Sequence, residues 1–93
     1  MPYRVFYHPD VRKEDISNIP KNMKKRIREA IKQRLLNEPA KYGSPLKRSL
    51  RGYRKLRVGD YRVIYRVDKE NVIVLKIGDR REVYSKIHLR MKN

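Results

Sequence analysis

The sequence predicts an α+β fold: a small antiparallel sheet with an N-terminal helix pair packed on one face, in the order β-α-α-β-β-β. Three observations predict it. Apolar residues alternate near the start, recur at helical spacing through the second quarter, and alternate again through most of the second half. A Gly-Asp pair, Gly59-Asp60, joins two of the late strands by a two-residue loop. The chain has 93 residues, which suits one thin-cored domain, 1–93, and leaves no room for a deep cavity.

Residues 3–7 alternate aromatic and β-branched side chains and read as a strand. Pro9 and Asp10 end it, and Asp10 can cap a short helix whose apolar contacts are Val11, Ile16 and Ile19. Pro20 breaks that helix. A second helix runs from about residue 22 to 36, with Met23, Ile27, Ala30, Ile31 and Leu35 on one stripe. Its outer face carries Lys24, Lys25, Arg28 and Lys32, which serve either solvation or phosphate contact. Residues 38–44 read as a linker, with Pro, Gly and Ser as breakers. Leu46 and Leu50 then anchor PLKRSLRG into the core. Strands follow at 53–58, 61–67 and 72–77. Short turns between consecutive strands favour antiparallel pairing. The tail from Arg81 is short and basic, and helical from Ser85.

The Gly59-Asp60 loop fixes a register. Val58 faces Tyr61, Leu56 faces Val63, and Arg54 faces Tyr65 at the edge of the apolar face. On the other face Arg57 lies across from Arg62, Lys55 from Ile64, and Tyr53 from Arg66. Like charges directly opposite destabilise a ladder by roughly 0.2–1 kcal/mol. Either a distant carboxylate neutralises them or the cluster awaits an anion. In the third strand the alternation puts Lys76 and Arg80 with that basic set, and Ile73, Leu75 and Ile77 towards the helices. Tyr84 follows, as a core tyrosine or as a base-stacking or hydroxyl-donating group.

The balance of charge points the same way. Lys and Arg number 26 against 10 Asp and Glu, a net charge of +16 spread over the whole chain. Such an excess favours a polyanionic partner, nucleic acid first, with an anionic membrane or an acidic protein as alternatives. Cysteine is absent, which removes disulfides, thiol nucleophiles and zinc-finger ligands. No apolar run approaches a membrane span, and MPYRVFYH has no hydrophobic signal core, so a cytoplasmic location and no membrane contact are expected.

No paired acids for metal hydrolysis and no Gly-rich phosphate loop are present, and no metal or cofactor is expected. His8 and His88 read as edge or surface residues. Lys, Arg and Tyr can still cleave RNA, because the 2′-OH is an internal nucleophile. The protein need only align the sugar, neutralise the phosphorane and assist proton transfer. A Lys crowded by Arg has its pKa lowered towards use as a base.

GYRKLRVGDYRVIYRV followed by VIVLKIGDRREVY resembles the core of the RelE toxins of the RelE/ParE superfamily, and the element order and PLKRSLRG extend the likeness over nearly the whole chain. The resemblance implies a RelE-like fold and a metal-independent mRNA interferase that cuts codons in the ribosomal A site. It implies Lys55 as base or phosphate ligand, Arg62 on the phosphorane, Arg80 on the leaving side and Tyr84 orienting or stacking on the nucleotide. Arg57, Arg81, Lys76 and Arg54 are expected to bind RNA, and Arg81 competes with Arg80 for the match. Two positions depart from the pattern. Tyr53 stands where some relatives carry a second Lys, and Asp79 where many carry His before the matched Arg. The implied partners are mRNA, ribosomal RNA and an acidic RelB-like antitoxin, with the oligomeric state set through the antitoxin complex. The ParE branch shares the fold, so a gyrase-inhibiting toxin without nuclease chemistry is one alternative. A catalytically silent RNA- or ribosome-binding protein is the other.

Overall fold

The computed structural model describes residues 3–91, and its architecture is α+β. Five strands form one open sheet in the order β1-β5-β4-β3-β2. They are β1 (Arg4–Tyr7), β2 (Ser44–Pro45), β3 (Tyr53–Val58), β4 (Tyr61–Asp68) and β5 (Asn71–Asp79). β3, β4 and β5 are antiparallel, as the short turns require. β1 adds a parallel edge against Asn71–Val74, and β2 a two-residue antiparallel edge against Arg54 and Lys55. The sheet is therefore mixed. A strand 64 or more residues upstream pairs with the last one, and nothing local in the sequence signals its direction.

Helices cover one face. Val11–Asp15 forms a π-type turn and Ile16–Asn18 a 3-10 turn. Ile19 is extended, as a residue before proline prefers, and Pro20 opens α1 (Lys21–Ala30). A π-type turn, Ile31–Leu35, continues α1. Ile27, Ala30, Ile31 and Leu35 are buried from this stripe, against Leu56, Val58, Val63, Tyr65, Val72, Val74 and Ile77 of the sheet. Burying each large apolar side chain contributes about 1.5–3 kcal/mol.

The expected linker is ordered. Pro39 starts a one-turn helix, α2 (Pro39–Tyr42), where its missing N–H costs nothing. The freed carbonyls are met from the sheet. The Tyr65 hydroxyl donates to Pro39 O at 2.5 Å, and Arg54 Nη2 donates to Ala40 O at 2.7 Å and Gly43 O at 2.5 Å. Gly43 lies so close that a Cβ there would overlap the Tyr65 hydroxyl.

The third strand departs from the simple alternation. Ile64 pairs with Lys76 but Tyr65 pairs with Val74, so Leu75 is an extra, bulged residue. A bulge reverses parity on either side of itself. Val72, Val74 and Ile77 face the helices, whereas Leu75 turns to the opposite face, where Ile73 also lies by its pairing with Arg66. The expectation that Ile73, Leu75 and Ile77 share the helix-facing side therefore holds for Ile77 alone.

That opposite face carries a second apolar cluster. Ile64, Leu75, Val83 and Ile87 are buried there, with Leu46, Leu50, Tyr53 and Met91 packed around them. Leu46 and Leu50 are anchors as expected, but to this smaller core. The tail forms it: after β5 the chain turns back over the sheet and ends in α3 (Ile87–Arg90), close to the helical start expected at Ser85.

Candidate nucleic-acid interface

The β3–β4 hairpin has the register its turn dictates, with Gly59 at φ +59° supplying the left-handed position. Three rows cross the tail-facing side. They are Arg57–Arg62–Gly78 nearest the turn, Lys55–Ile64–Lys76 next, and Tyr53–Arg66–Ile73 farthest. Arg57 is exposed, and Lys55 and Arg62 are half-buried. Paired strands lie about 4.8 Å apart, so the two arginine backbones are neighbours and Lys55 is one row, about 7 Å, along β3. Arg62 Nη1 donates only to the Gly59 and Tyr61 carbonyls, at 3.1 and 3.0 Å. Among the described residues, Lys55, Arg57, Arg62, Arg80 and Arg81 have no carboxylate within 4.0 Å. The like-charged pair is thus left without an acidic partner among the described residues, and a phosphate is its natural complement, since guanidinium groups bind phosphate bidentately.

The tail brings its own groups to this end. Arg80 N donates to Asp60 O at 2.8 Å, locking the chain after β5 onto the hairpin turn. Asp79 Oδ1 accepts from Arg81 N and Glu82 N, each at 2.9 Å, and the Asp79 carbonyl accepts from Val83 N. Asp79 is therefore the cap of this turn. Gly78 lets the tail press close, since a Cβ there would lie 3.3 Å from Val83 Cα. Val83 is buried against Gly78, the residue paired with Arg62, and Arg80, Arg81 and Tyr84 on this segment are exposed. Tyr84 is 37% exposed, so it is not a core tyrosine.

Two expected RNA ligands are engaged elsewhere. Arg54 lies on the helix side with Tyr65, its head spent on the α2 carbonyls, because its parity points it there. Lys76 belongs to the basic face by register, but its ammonium donates to Ser85 O at 2.5 Å and lines a cleft with Asp15, Glu82 and Arg90. Burial and then the Arg90 charge hold its pKa below the usual lysine range, against Asp15, Glu14 and Glu82, which raise it.

Sequence reasoning missed four participants. Asp15 and Arg90 form a buried bidentate ion pair that ties the tail to the first helical turn. Arg26 of α1 lies over the hairpin tip, its guanidinium 3.3 Å from where a Cβ on Gly59 would be. Arg66 sits in the third row, and the register across from Tyr53 was its only signal. Among the described residues no group of three His, Asp or Glu side chains could hold a metal ion, and no helix is long and apolar enough to cross a membrane.

Known proteins resemble this arrangement along most of their length. Residues 5–84 match the family described as ParE toxin of type II toxin–antitoxin system, parDE. Toxin RelG of Mycobacterium tuberculosis is 34% identical over 86 residues, covering 90% of this chain and 98% of that protein. Toxin RelE of the same organism is 33% identical over 72 residues, covering 75% and 74%. The toxin–antitoxin complex RelBE2 from M. tuberculosis contains a chain matching at TM-score 0.75 and 30% identity, over 86% of this chain and all of that one. A mutant of E. coli toxin RelE in the free state matches in fold, at TM-score 0.71 and 19% identity, over 97% and 94%. The chain belongs to the RelE/ParE family of toxins of type II toxin–antitoxin systems and is a RelE-type toxin.

Proposed function

We propose that this toxin is a ribosome-dependent mRNA endoribonuclease that cuts A-site codons and so inhibits translation in the cytoplasm. The observation that carries the reading is the Arg57–Arg62 pair, with no carboxylate within 4.0 Å among the described residues, with Lys55 one row along the strand and with exposed Arg80, Arg81 and Tyr84 on the segment that leaves β5. The RNA supplies the nucleophile. Its 2′-oxygen attacks the adjacent phosphorus and gives its proton to a base, and the P–O5′ bond breaks as the 5′-oxygen takes up a proton. The products are a 2′,3′-cyclic phosphate and a 5′-hydroxyl. No step in this scheme requires a metal or cofactor.

In this scheme Lys55 serves as base or phosphate ligand, one row along the strand from the Arg57–Arg62 pair. Arg62 neutralises the phosphorane, exchanging its bonds to the Gly59 and Tyr61 carbonyls for the phosphate. Arg80 supports charge on the leaving side, with Arg81 next to it, and Tyr84 stacks on or orients the nucleotide. Arg57 binds the flanking phosphate. Ribosomal RNA adds a polyanionic surface for a chain of charge +16. The same charge suits an acidic, RelB-like antitoxin that folds as it binds and sets the oligomeric state.

The matched family description names ParE, and this favours a second reading, gyrase inhibition by binding alone. One experiment separates them: mRNA cleavage in reconstituted translation, with and without ribosomes. Ribosome-dependent cuts within A-site codons, weakened in Arg80→Ala and Tyr84→Ala, support the first reading. Cutting of free RNA keeps the chemistry and removes the ribosome. No cutting, with inhibited gyrase supercoiling, supports the second, and neither effect leaves a silent binding protein.

A further inference from the structure

The bulge in β5 turns two successive residues to the tail-facing side. Leu75 is buried in the second apolar cluster, and Lys76 pairs with Ile64 of that same cluster. Val72 and Val74 face the helices, so unbroken alternation from them would send Lys76 there as well. Bulges re-aim side chains in this way, and the side chain re-aimed here is a cation. It joins the row Lys55–Ile64–Lys76, next to the Arg57–Arg62 row. Lys76 therefore stands two strands, about 10 Å, from Lys55.

The ammonium is committed to the backbone of the tail. Lys76 Nζ donates to Ser85 O at 2.5 Å. Among the described residues it has no carboxylate within 4.0 Å, although Asp15 and Glu82 line the same cleft. The Ser85 carbonyl belongs to the peptide that joins Ser85 to Lys86, and Lys86 has a left-handed backbone at φ +56°. A residue with a side chain stays in that region only where its surroundings hold it there. Val83 and Ile87 are buried on either side, Ser85 N donates to Glu82 O at 2.9 Å, and Ile87 N donates to Tyr84 O at 3.3 Å. Tyr84 thus lies between Val83, seated against Gly78, and a peptide held by Lys76. Its side chain is exposed, so its direction rests on the backbone on either side of it.

We propose that Lys76 is a positioning residue of the ribonuclease site: by holding the Ser85 carbonyl it fixes the direction in which Tyr84 meets the nucleotide, and it does not itself bind RNA. The proposal rests on the ribonuclease reading and on the place of Tyr84 in it. A cation on the basic face has two uses, as a phosphate ligand or as a strut for a neighbouring segment. A phosphate could take this ammonium only by releasing Ser85 O and with it the turn that presents Tyr84. The bulge and the bond to Ser85 O together make Lys76 the one link between the Lys55 row and the peptide beside Tyr84.

The test compares, as full chains, wild type, Lys76→Met, Lys76→Arg, Tyr84→Ala and the double variant Lys76→Met with Tyr84→Ala. Lys76→Met keeps a long stem and loses the donor, and Lys76→Arg keeps a cationic donor. In reconstituted translation Lys76→Met should lower kcat about 10- to 100-fold with KM unchanged, the scale of a group misplaced near the reacting atoms. Lys76→Arg should recover most of this. In the Tyr84→Ala background Lys76→Met should cost little more, because both changes remove one function. Binding to ribosomes that carry an uncleavable 2′-deoxy A-site codon should keep its salt dependence, whereas loss of one phosphate contact makes the logarithmic slope shallower by about 0.7–0.9. In NMR spectra of the isolated protein, the Ser85 carbonyl carbon and the Tyr84 ring resonances should shift in Lys76→Met and return in Lys76→Arg. A shallower salt slope, an equal loss with and without Tyr84, or unmoved Tyr84 resonances overturns the proposal and leaves the ribonuclease reading standing. If Lys76→Met fails to fold, Lys76→Gln, whose head is one bond shorter, takes its place. If wild type cuts nothing, the ribonuclease reading fails, and the spectra decide the role of Lys76: Tyr84 shifts restored by Lys76→Arg support it as the residue that directs Tyr84, and no shift overturns it.

Discussion

Arg90 closes on Asp15 across 75 residues, with Nη1 2.6 Å from Oδ2 and Nη2 2.8 Å from Oδ1, and both side chains are buried. Asp15 Oδ2 also accepts the Ile77 N–H at 2.8 Å, and Arg90 Nη1 donates to Leu75 O at 3.2 Å. One ion pair thus joins the first helical turn, the bulged strand and the tail that carries Arg80, Arg81 and Tyr84. Removing one partner of a buried pair strands the other, at a cost of about 3–5 kcal/mol. Asp15→Ala should lose stability on that scale in urea unfolding. The double variant Asp15→Ala with Arg90→Met should recover part of it, because no charge is then buried alone. Equal and additive losses would mean the pair contributes through something other than its charges.

Arg62→Ala should act on function with little effect on the fold. The wild-type guanidinium holds only the exposed Gly59 carbonyl and the part-buried Tyr61 carbonyl, and the change also removes a like-charge pairing with Arg57. The expected stability change is within about 0.5 kcal/mol. Codon cleavage should fall about 100- to 1,000-fold, as when one preorganised donor to a developing oxyanion is lost. Unfolding of this variant would instead assign Arg62 a structural role.

Gly78→Val separates the tail from the sheet. A Cβ at this position already crowds Val83 Cα, and two further methyl groups deepen the clash. The main core lies on the other face, so the cost should stay near about 1–3 kcal/mol. Arg80, Arg81 and Tyr84 move with Val83, and cleavage should fall by more than the stability loss accounts for. Matched unfolding and activity measurements check this.

Tyr65 predicts a pH limit. Burial raises its phenol pKa above the usual 10.0, against a lowering influence from Arg54. The folded state thus holds the proton more tightly than the unfolded chain. The stabilisation is complete below pH 10.0 and is lost as pH rises through the folded value. Tyr65→Phe should unfold more easily at neutral pH by about 1–3 kcal/mol, since Pro39 O loses its donor. Its stability should then fall less steeply than that of wild type above pH 10. Parallel alkaline limbs would remove Tyr65 as the cause.

The hairpin was fully legible because a two-residue Gly-Asp loop permits one register, and from it came the Arg57–Arg62 pair and the core-side position of Arg54. The bulge was not. One extra residue at Leu75 leaves no mark in VIVLKIGD, yet it moves Ile73 and Leu75 to the other face. The second core had one early signal, Ile64 among the cations across from Lys55, and without the tail it had no visible partner. The Asp15–Arg90 pair and the parallel edge strand are contacts between distant segments, and local periodicity carries no information about either.

The central position of β5 has a consequence for biosynthesis. β1 leaves the ribosome first, but its only pairing partner among the described residues is β5. β5 also packs into both apolar clusters, and the ion pair that seals the tail waits for residue 90. Pairing of this kind is slow because a long loop must close before any contact rewards it. A growing chain can make the α1 stripe and the β3–β4 hairpin early, but neither core closes until residue 79 has emerged. The arginines of the hairpin and the groups of the tail are therefore brought onto one sheet only after β5 and the segment behind it have emerged. Until then the ribosome making this toxin carries a chain whose cationic site is still in pieces.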